Sequence, residues 1–263
     1  MAHDGQDFPA AETESPLLPD LLGMTGAAVA PCESVLEAAR GAVRAMVTEG
    51  DRVSGTLVER HQTAAHGLAW LATYVEALRQ MQAWAEGLQD AGKLGEVERL
   101  ILQIGFGEYL WQIYGGIPMG QGEIVRLQDL GLTQEDQRAL MDPAVMTLTQ
   151  RGNTQVARTR LVELMQEQAG NVITGASGLD DEMEMIREQF RRYSVDKIEP
   201  EAHEWHLKDD LIPMEMIEEL AEMGVFGLTI PEEHGGLGMP KTAMCVVSEE
   251  LSRGYIGVGS LGT

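Results

Sequence analysis

Cysteine is nearly missing from these 263 residues: Cys32 and Cys245 are the only two. They stand far apart, outside any CxxC pairing and with no histidine at ligand spacing, which excludes a disulfide framework and a zinc site. Basic residues are scarce as well, 19 Lys plus Arg against 42 Asp plus Glu, for a formal net charge of −23. That surplus of acid opposes docking on the phosphate backbone of nucleic acid or on an anionic membrane surface, so neither is an expected partner. No run approaches the roughly 18 consecutive apolar residues of a membrane span. The opening Met1-Ala2-His3-Asp4 lacks the basic and then apolar stretch of an export signal, so the expected location is the cytoplasm. Runs of β-branched residues of strand length are almost absent, which leaves helix as the main element. What the chain does have is 44% hydrophobic residues, enough for a sizeable core in one large domain or two ordinary ones.

Pro9, Pro16, Pro19 and Pro31 fall among small and acidic residues without a sustained period, so residues 1–53 are expected to be a mobile tail and a lead-in to the first helix. From Ser54 the pattern changes. Leu57, His61, Ala65, Leu68, Leu71, Val75, Leu78, Met81, Ala85 and Leu88 recur at steps of three or four, which predicts one long amphipathic helix. A second series from Leu94 to Tyr114 stops at Gly115-Gly116-Ile117-Pro118, where glycine and proline disfavour continuation. Thr133, three before Asp136, resembles a capping box, and Ala157, Leu161, Leu164 and Gln168 mark a further helix. Residues 54–169 are thus expected as a helical extension domain.

Residues 170–179 carry three glycines and no charge until Asp180, and are expected to be a linker. Acid density then rises: residues 1–172 hold 12 basic and 23 acidic side chains, and the shorter stretch 173–263 holds 7 and 19. Asp180 to Lys197 reads as a helix with acids at its start and bases at its end, matching the macrodipole. Pro213 suits the first turn of the next helix and Gly224 its left-handed end. Val225 to Ile230 is expected to be a short extended run. A last helix from Lys241 keeps Met244, Val247, Leu251, Gly254, Tyr255 and Val258 on one side.

Several constellations invite a chemical reading. His234-Gly235-Gly236-Leu237-Gly238 could bring backbone N–H groups to a phosphate, yet its spacing departs from GxGxxG and Glu232 and Glu233 would repel an anion, so a structural turn is expected. His203-Glu204-Trp205-His206 is one residue short of the HExxH zinc pattern, and His61 and His66 do not share a helix face. Glu218, Glu219 and Glu222 are expected to be a solvated helix face rather than catalytic carboxylates. Gly105 and Gly107 are expected to permit close helix approach, and Trp70, Trp84 and Trp111 to be core or helix-contact residues. None of these features identifies a reaction, a metal site or a catalytic residue.

As a string, the last part of the chain says more. Leu220-Ala221-Glu222-Met223-Gly224-Val225-Phe226-Gly227-Leu228, then Ile230-Pro231-Glu232-Glu233-His234-Gly235-Gly236-Leu237-Gly238-Met239, then Glu249-Glu250-Leu251-Ser252-Arg253-Gly254 resembles the amino-terminal helical domain of acyl-CoA dehydrogenases over residues 180–263. The extension, with His61 to Trp70 and Ile104 to Leu110, resembles that of the members that take a branched dicarboxylyl thioester. The resemblance implies FAD in the complete enzyme, an acyl-CoA substrate, 2,3-desaturation, an electron-transferring flavoprotein as partner and a homo-oligomer. It also implies that the catalytic glutamate and the flavin contacts belong to a middle β-domain and a carboxy-terminal bundle. The fold expected here is therefore all-α with those two domains absent, no catalytic or FAD-binding residue of its own, and no turnover in isolation. The stretch matching the helix that lines the acyl end of the pocket is Ser260 to Thr263, giving Ser260, Leu261 and Thr263 as expected pocket-lining residues. A non-catalytic helical module docking a partner through residues 54–168 is the alternative.

Overall fold

The computed structural model describes residues 15–168 and 174–262. It is built of helices with two minimal strand pairs, and it divides into two compact units, Met1–Gly178 and Leu179–Thr263. Among the described residues, no helix is long and apolar enough to cross a membrane.

The first unit departs at once from the expected tail. Helix α1 spans Leu21–Val47, so much of the stretch 1–53 is ordered; its first 14 residues lie outside the described ones. Leu21, Thr25, Ala28, Cys32, Val35, Ala39 and Val43 recur at steps of three or four and are all buried. Proline content hid that period. Pro31 sits inside the helix but off the buried stripe, where its lost backbone bond costs about 3 kcal/mol, set against the transfer of a whole helix face out of water.

The single long helix expected after Ser54 is broken by one residue. Helix α2 covers Gly55–Arg60 with no buried side chain, and α3 covers Gln62–Asp90 with Ala64, Gly67, Leu71, Val75 and Leu78 buried. Between them His61 leaves the helical region at φ −109°, ψ 30°. The kink lets α3 lie against α1 while α2 stays at the surface. Helix α4, Glu96–Gly115, ends at the paired glycines as its sequence requires. It supplies Leu100, Leu102, Phe106, Leu110 and Ile113 to the core. Gly107 allows its backbone to meet the end of α5 (Pro143–Arg151): a Cβ there would stand 2.6 Å from the Asn153 amide nitrogen and 2.8 Å from the Gly152 carbonyl carbon. Helix α6, Gln155–Glu167, completes this unit, and Thr133 and Asp136 do exchange the hydrogen bonds of a capping box.

Buried polar side chains tie the irregular segments down. Gln103 accepts from the Leu18 amide at 2.7 Å and donates to the Pro16 carbonyl at 2.9 Å and the Gly152 carbonyl at 3.2 Å. His66, Trp70, Tyr74 and Tyr109 form a chain of ring contacts, and the Trp70 indole donates to His66 Nε2 at 3.0 Å. Trp111 does not join the core as expected; it is 55% exposed.

The two cysteines differ sharply. Cys32 is fully buried on the α1 stripe, and burial, followed by the charge of Glu33, pushes its thiol from about 9 up to about 12; Cys245 is exposed. A raised folded value means that the neutral thiol favours the fold, a contribution present below pH 9 and lost as pH rises toward 12. At pH 8 a disulfide reagent should titrate Cys245 rapidly and Cys32 only as fast as the unit opens. Equal rates at both thiols would contradict this packing.

The second unit runs through α7 (Asp181–Tyr193), a wide π-helical stretch over Ser194–Ile198, α8 (Glu199–Lys208), α9 (Met214–Glu222) and α10 (Lys241–Gly254). Phe190, Ile198, Trp205, Leu220, Val247, Leu251 and Val258 form its core. Pro213 is the N-cap of α9 rather than part of its first turn, and Gly224 ends that helix at φ 79°. The extended run expected over Val225 to Ile230 is instead a 3-10 turn at Val225–Gly227 followed by further turns. A lone extended segment has no partner strand here to take its backbone hydrogen bonds, and turns satisfy them locally.

Candidate functional site

The stretch expected to line a pocket lies at the end of the second unit, where the expected continuous helix is interrupted. Helix α10 stops at Gly254, because Tyr255 is extended at φ −158°, ψ 122°. The chain then makes one turn, α11 (Ile256–Gly259), and a 3-10 turn, Ser260–Gly262. Small residues permit this reversal. A Cβ on Gly254 would collide with Ser194 and Ile198, one on Gly259 with Ser252 of α10, and one on Gly262 would stand 2.8 Å from Val225 Cγ1. Tyr255 packs edge-on against Trp205 with ring centroids 6.1 Å apart. The turn is thereby fixed on α10, on the π-helical stretch and on Val225.

Of the three residues predicted to line a pocket, Ser260 is exposed and its hydroxyl donates to the Gly257 carbonyl at 3.1 Å. Leu261 is half-exposed, and Thr263 lies outside the described residues. Phe226 and Leu261 both keep apolar surface in water, on two short turns, Val225–Gly227 and Ser260–Gly262, that pack together. What these residues can offer is an apolar wall.

The glycine turn is a different matter. The Gly235 amide donates to Glu232, Gly236 to Pro231, Leu237 to Gly227, Gly238 to Ile230 and Met239 to Leu228. Every amide from 235 to 239 is spent on backbone carbonyls between Gly227 and Glu232, so none is left to receive a phosphate. Gly235 and Gly238 adopt φ 84° and 60°, which explains the glycines without a ligand.

The remaining candidates also resolve into structure. His203 and His206 are exposed, and among the described residues no three His, Cys, Asp or Glu side chains converge as a metal site. Glu218 and Glu222 face solvent, whereas Glu219 accepts from the Tyr193 hydroxyl at 3.0 Å and pairs with Lys197 at 3.4 Å. Desolvation, reinforced by Glu219, holds the Tyr193 hydroxyl well above the usual phenol range.

One charged pair escaped the sequence reading. Glu250 is fully buried on α10 and takes two hydrogen bonds from Arg191 of α7, at 2.6 Å and 3.1 Å. Its signal was present: Ala243, Val246, Val247 and Glu250 share one face by steps of three and four, so the second of the two adjacent glutamates points inward.

Residues 180–263 match the family model described as acyl-CoA dehydrogenase, N-terminal domain. They belong to the acyl-CoA dehydrogenase family. The whole chain is 57% identical to the (2S)-methylsuccinyl-CoA dehydrogenase of Cereibacter sphaeroides over 251 residues, 95% of this chain and 45% of that protein. The glutaryl-CoA dehydrogenase of Desulfococcus multivorans is 36% identical over 78 residues, 29% of this chain and 20% of that protein. The benzylmalonyl-CoA dehydrogenase of Aromatoleum aromaticum is 36% identical over 80 residues, 30% and 21% respectively. This chain thus spans less than half the length of the relatives it matches. The shorter matches have the length of the acyl-CoA dehydrogenase domain alone, whereas the Cereibacter protein is similar through the helical extension too.

Proposed function

We propose that this chain is the amino-terminal part of an FAD-dependent acyl-CoA dehydrogenase that converts methylsuccinyl-CoA to mesaconyl-CoA, and that residues 1–263 do not turn over alone. The observation that carries it is the 57% identity sustained over 95% of the chain, extension included. An α C–H beside a thioester is a weak acid, so desaturation needs a positioned carboxylate base and a polarised carbonyl. Among the carboxylates of the second unit, Glu250 is committed to Arg191 and Glu219 to Tyr193 and Lys197. The glycine turn, the segment best suited by composition to hold the flavin pyrophosphate, has its amides spent. The described residues therefore do not fit FAD at that turn. In the whole protein the turn 255–262 would exclude water from the acyl end of the substrate, the base and the flavin would come from the remainder, and an electron-transferring flavoprotein and a second copy would be the partners.

Two measurements test this. Purified 1–263 should show no flavin absorbance and no thioester-dependent dye reduction; activity from it would refute incompetence. A chimera in which this chain replaces the matched 45% of the Cereibacter enzyme should carry flavin and oxidise methylsuccinyl-CoA in preference to glutaryl-CoA. A folded, flavin-loaded chimera with the opposite preference would overturn the substrate, and one that rejects all thioesters would favour the partner-docking module.

A further inference from the structure

The segment just before the second unit has the composition of a free tether, three glycines and no charge over 170–179, but its described part is held by side chains. Glu98 of α4 is almost fully buried. One of its carboxylate oxygens accepts from the Gly95 amide at 2.9 Å, closing the start of α4, and the other accepts from the Ala176 amide at 2.7 Å. One residue on, the Trp84 indole of α3 donates to the Ser177 carbonyl at 3.0 Å. The flanking glycines complete the fit. Gly175 (φ 82°) would bring a Cβ within 3.0 Å of Glu98 and 3.2 Å of Val97, and Gly178 (φ 77°) within 2.8 Å of the Trp84 ring. On the other side, Asp180 already belongs to α7, whose Met183 amide it caps at 2.8 Å.

We infer that residues 175–178 form a latched strap of the first unit, fastened by Glu98 and Trp84, so that the chain left to act as a joint between the units is shorter than the glycine-rich composition suggests. Two fastenings on different helices, each met by a glycine in a conformation other residues rarely adopt, are more than a flexible linker requires. The same contacts make the latch releasable. Freeing Glu98 and Trp84 would lengthen the tether by the four residues of the strap without touching the core of either unit. The latch thus sets the length of chain that is free between the two units.

The test uses the 263-residue chain and two variants. Trp84→Phe keeps the ring and removes the donor, and Glu98→Ala removes the carboxylate. In the unaltered chain the Ala176 amide should be protected from hydrogen exchange. Each variant should speed exchange over 175–178 by about 10- to 100-fold, as expected for losing a hydrogen bond to a charged or buried group, while peptides from Leu100 to Leu110 and from α10 stay unchanged. For the joint itself, spin labels on exposed Cys245 and on a cysteine introduced as Thr73→Cys report the distance between the units. Their distribution should broaden in the double variant Trp84→Phe/Glu98→Ala. Fast exchange over 175–178 in the unaltered chain, or a distribution equally broad before and after release, would overturn the latch.

Discussion

Replacing Glu250 by glutamine should destabilise the second unit by about 3 kcal/mol. The carboxylate is fully buried and holds Arg191, whose side chain is only 15% exposed, through two hydrogen bonds between α10 and α7. The amide keeps the shape but removes the charge, leaving the guanidinium desolvated and uncompensated. Arg253 lies 3.6 Å from the same carboxylate, so a second cation loses one of its contacts as well. The magnitude is set at the lower end for buried pairs because Glu188 still approaches Arg191 at 4.0 Å. Urea unfolding followed through Trp205, with Trp70, Trp84 and Trp111 replaced by phenylalanine, reads this unit alone. The double change Arg191→Met/Glu250→Leu should be milder than Glu250→Gln, because no charge is then left buried. If the single change were the milder one, the pair would be a surface ion pair in effect and the packing of α7 on α10 would need another explanation.

A valine at Gly107 should cost the first unit about 3 kcal/mol or more. Most overpacking is relieved by a neighbouring side chain changing rotamer. Here the opposing atoms are the Asn153 amide nitrogen and the Gly152 backbone, at 2.6 to 2.9 Å from the position of the new Cβ, so α4 and the end of α5 must separate. Gln103 would be drawn in, because its bond to the Gly152 carbonyl depends on that approach. Gly105→Ala makes the contrast, since its Cβ would meet the flexible end of Met81 at 2.8 Å. It should be close to neutral, with the smaller entropy of the unfolded alanine chain offsetting the crowding. Thermal unfolding of the two variants decides the matter, and equal effects would show that the backbone contact is not what the glycine serves.

The Gly107 contact and the end of α4 at Gly115-Gly116 were legible because glycine within a helical period has few uses and a glycine pair before proline has one. The site was legible only as a string: three blocks in order pointed to the family, whereas no single residue in them announced chemistry. Where reading failed, a stronger local signal masked a weaker periodic one. Four prolines concealed the α1 stripe, although Cys32, Val35, Ala39 and Val43 kept its spacing. Apolar residues continuing at helical spacing past Gly254 concealed the break at Tyr255, which is set by contact with Ser194, Ile198 and Trp205, residues distant in sequence. Glu250 was passed over because a glutamate pair on a helix is usually solvated, and its partner lies 59 positions away.

The wide stretch over Ser194–Ile198 has a bearing on chain length. It holds one more residue per turn than a regular helix, and each residue swings the following face by about 100°. Phe190 and Trp205 enter the same core across it because the wide turn absorbs that surplus. Excising half-exposed Val195 would therefore remove the surplus, close the wide turn to a regular one and leave Phe190 and Trp205 in phase, so Trp205 should keep its contact with Tyr255 and the turn that carries Ser260 and Leu261 should stay seated. In this part of the molecule a residue can be gained or lost at the wide turn while the faces on either side keep their direction.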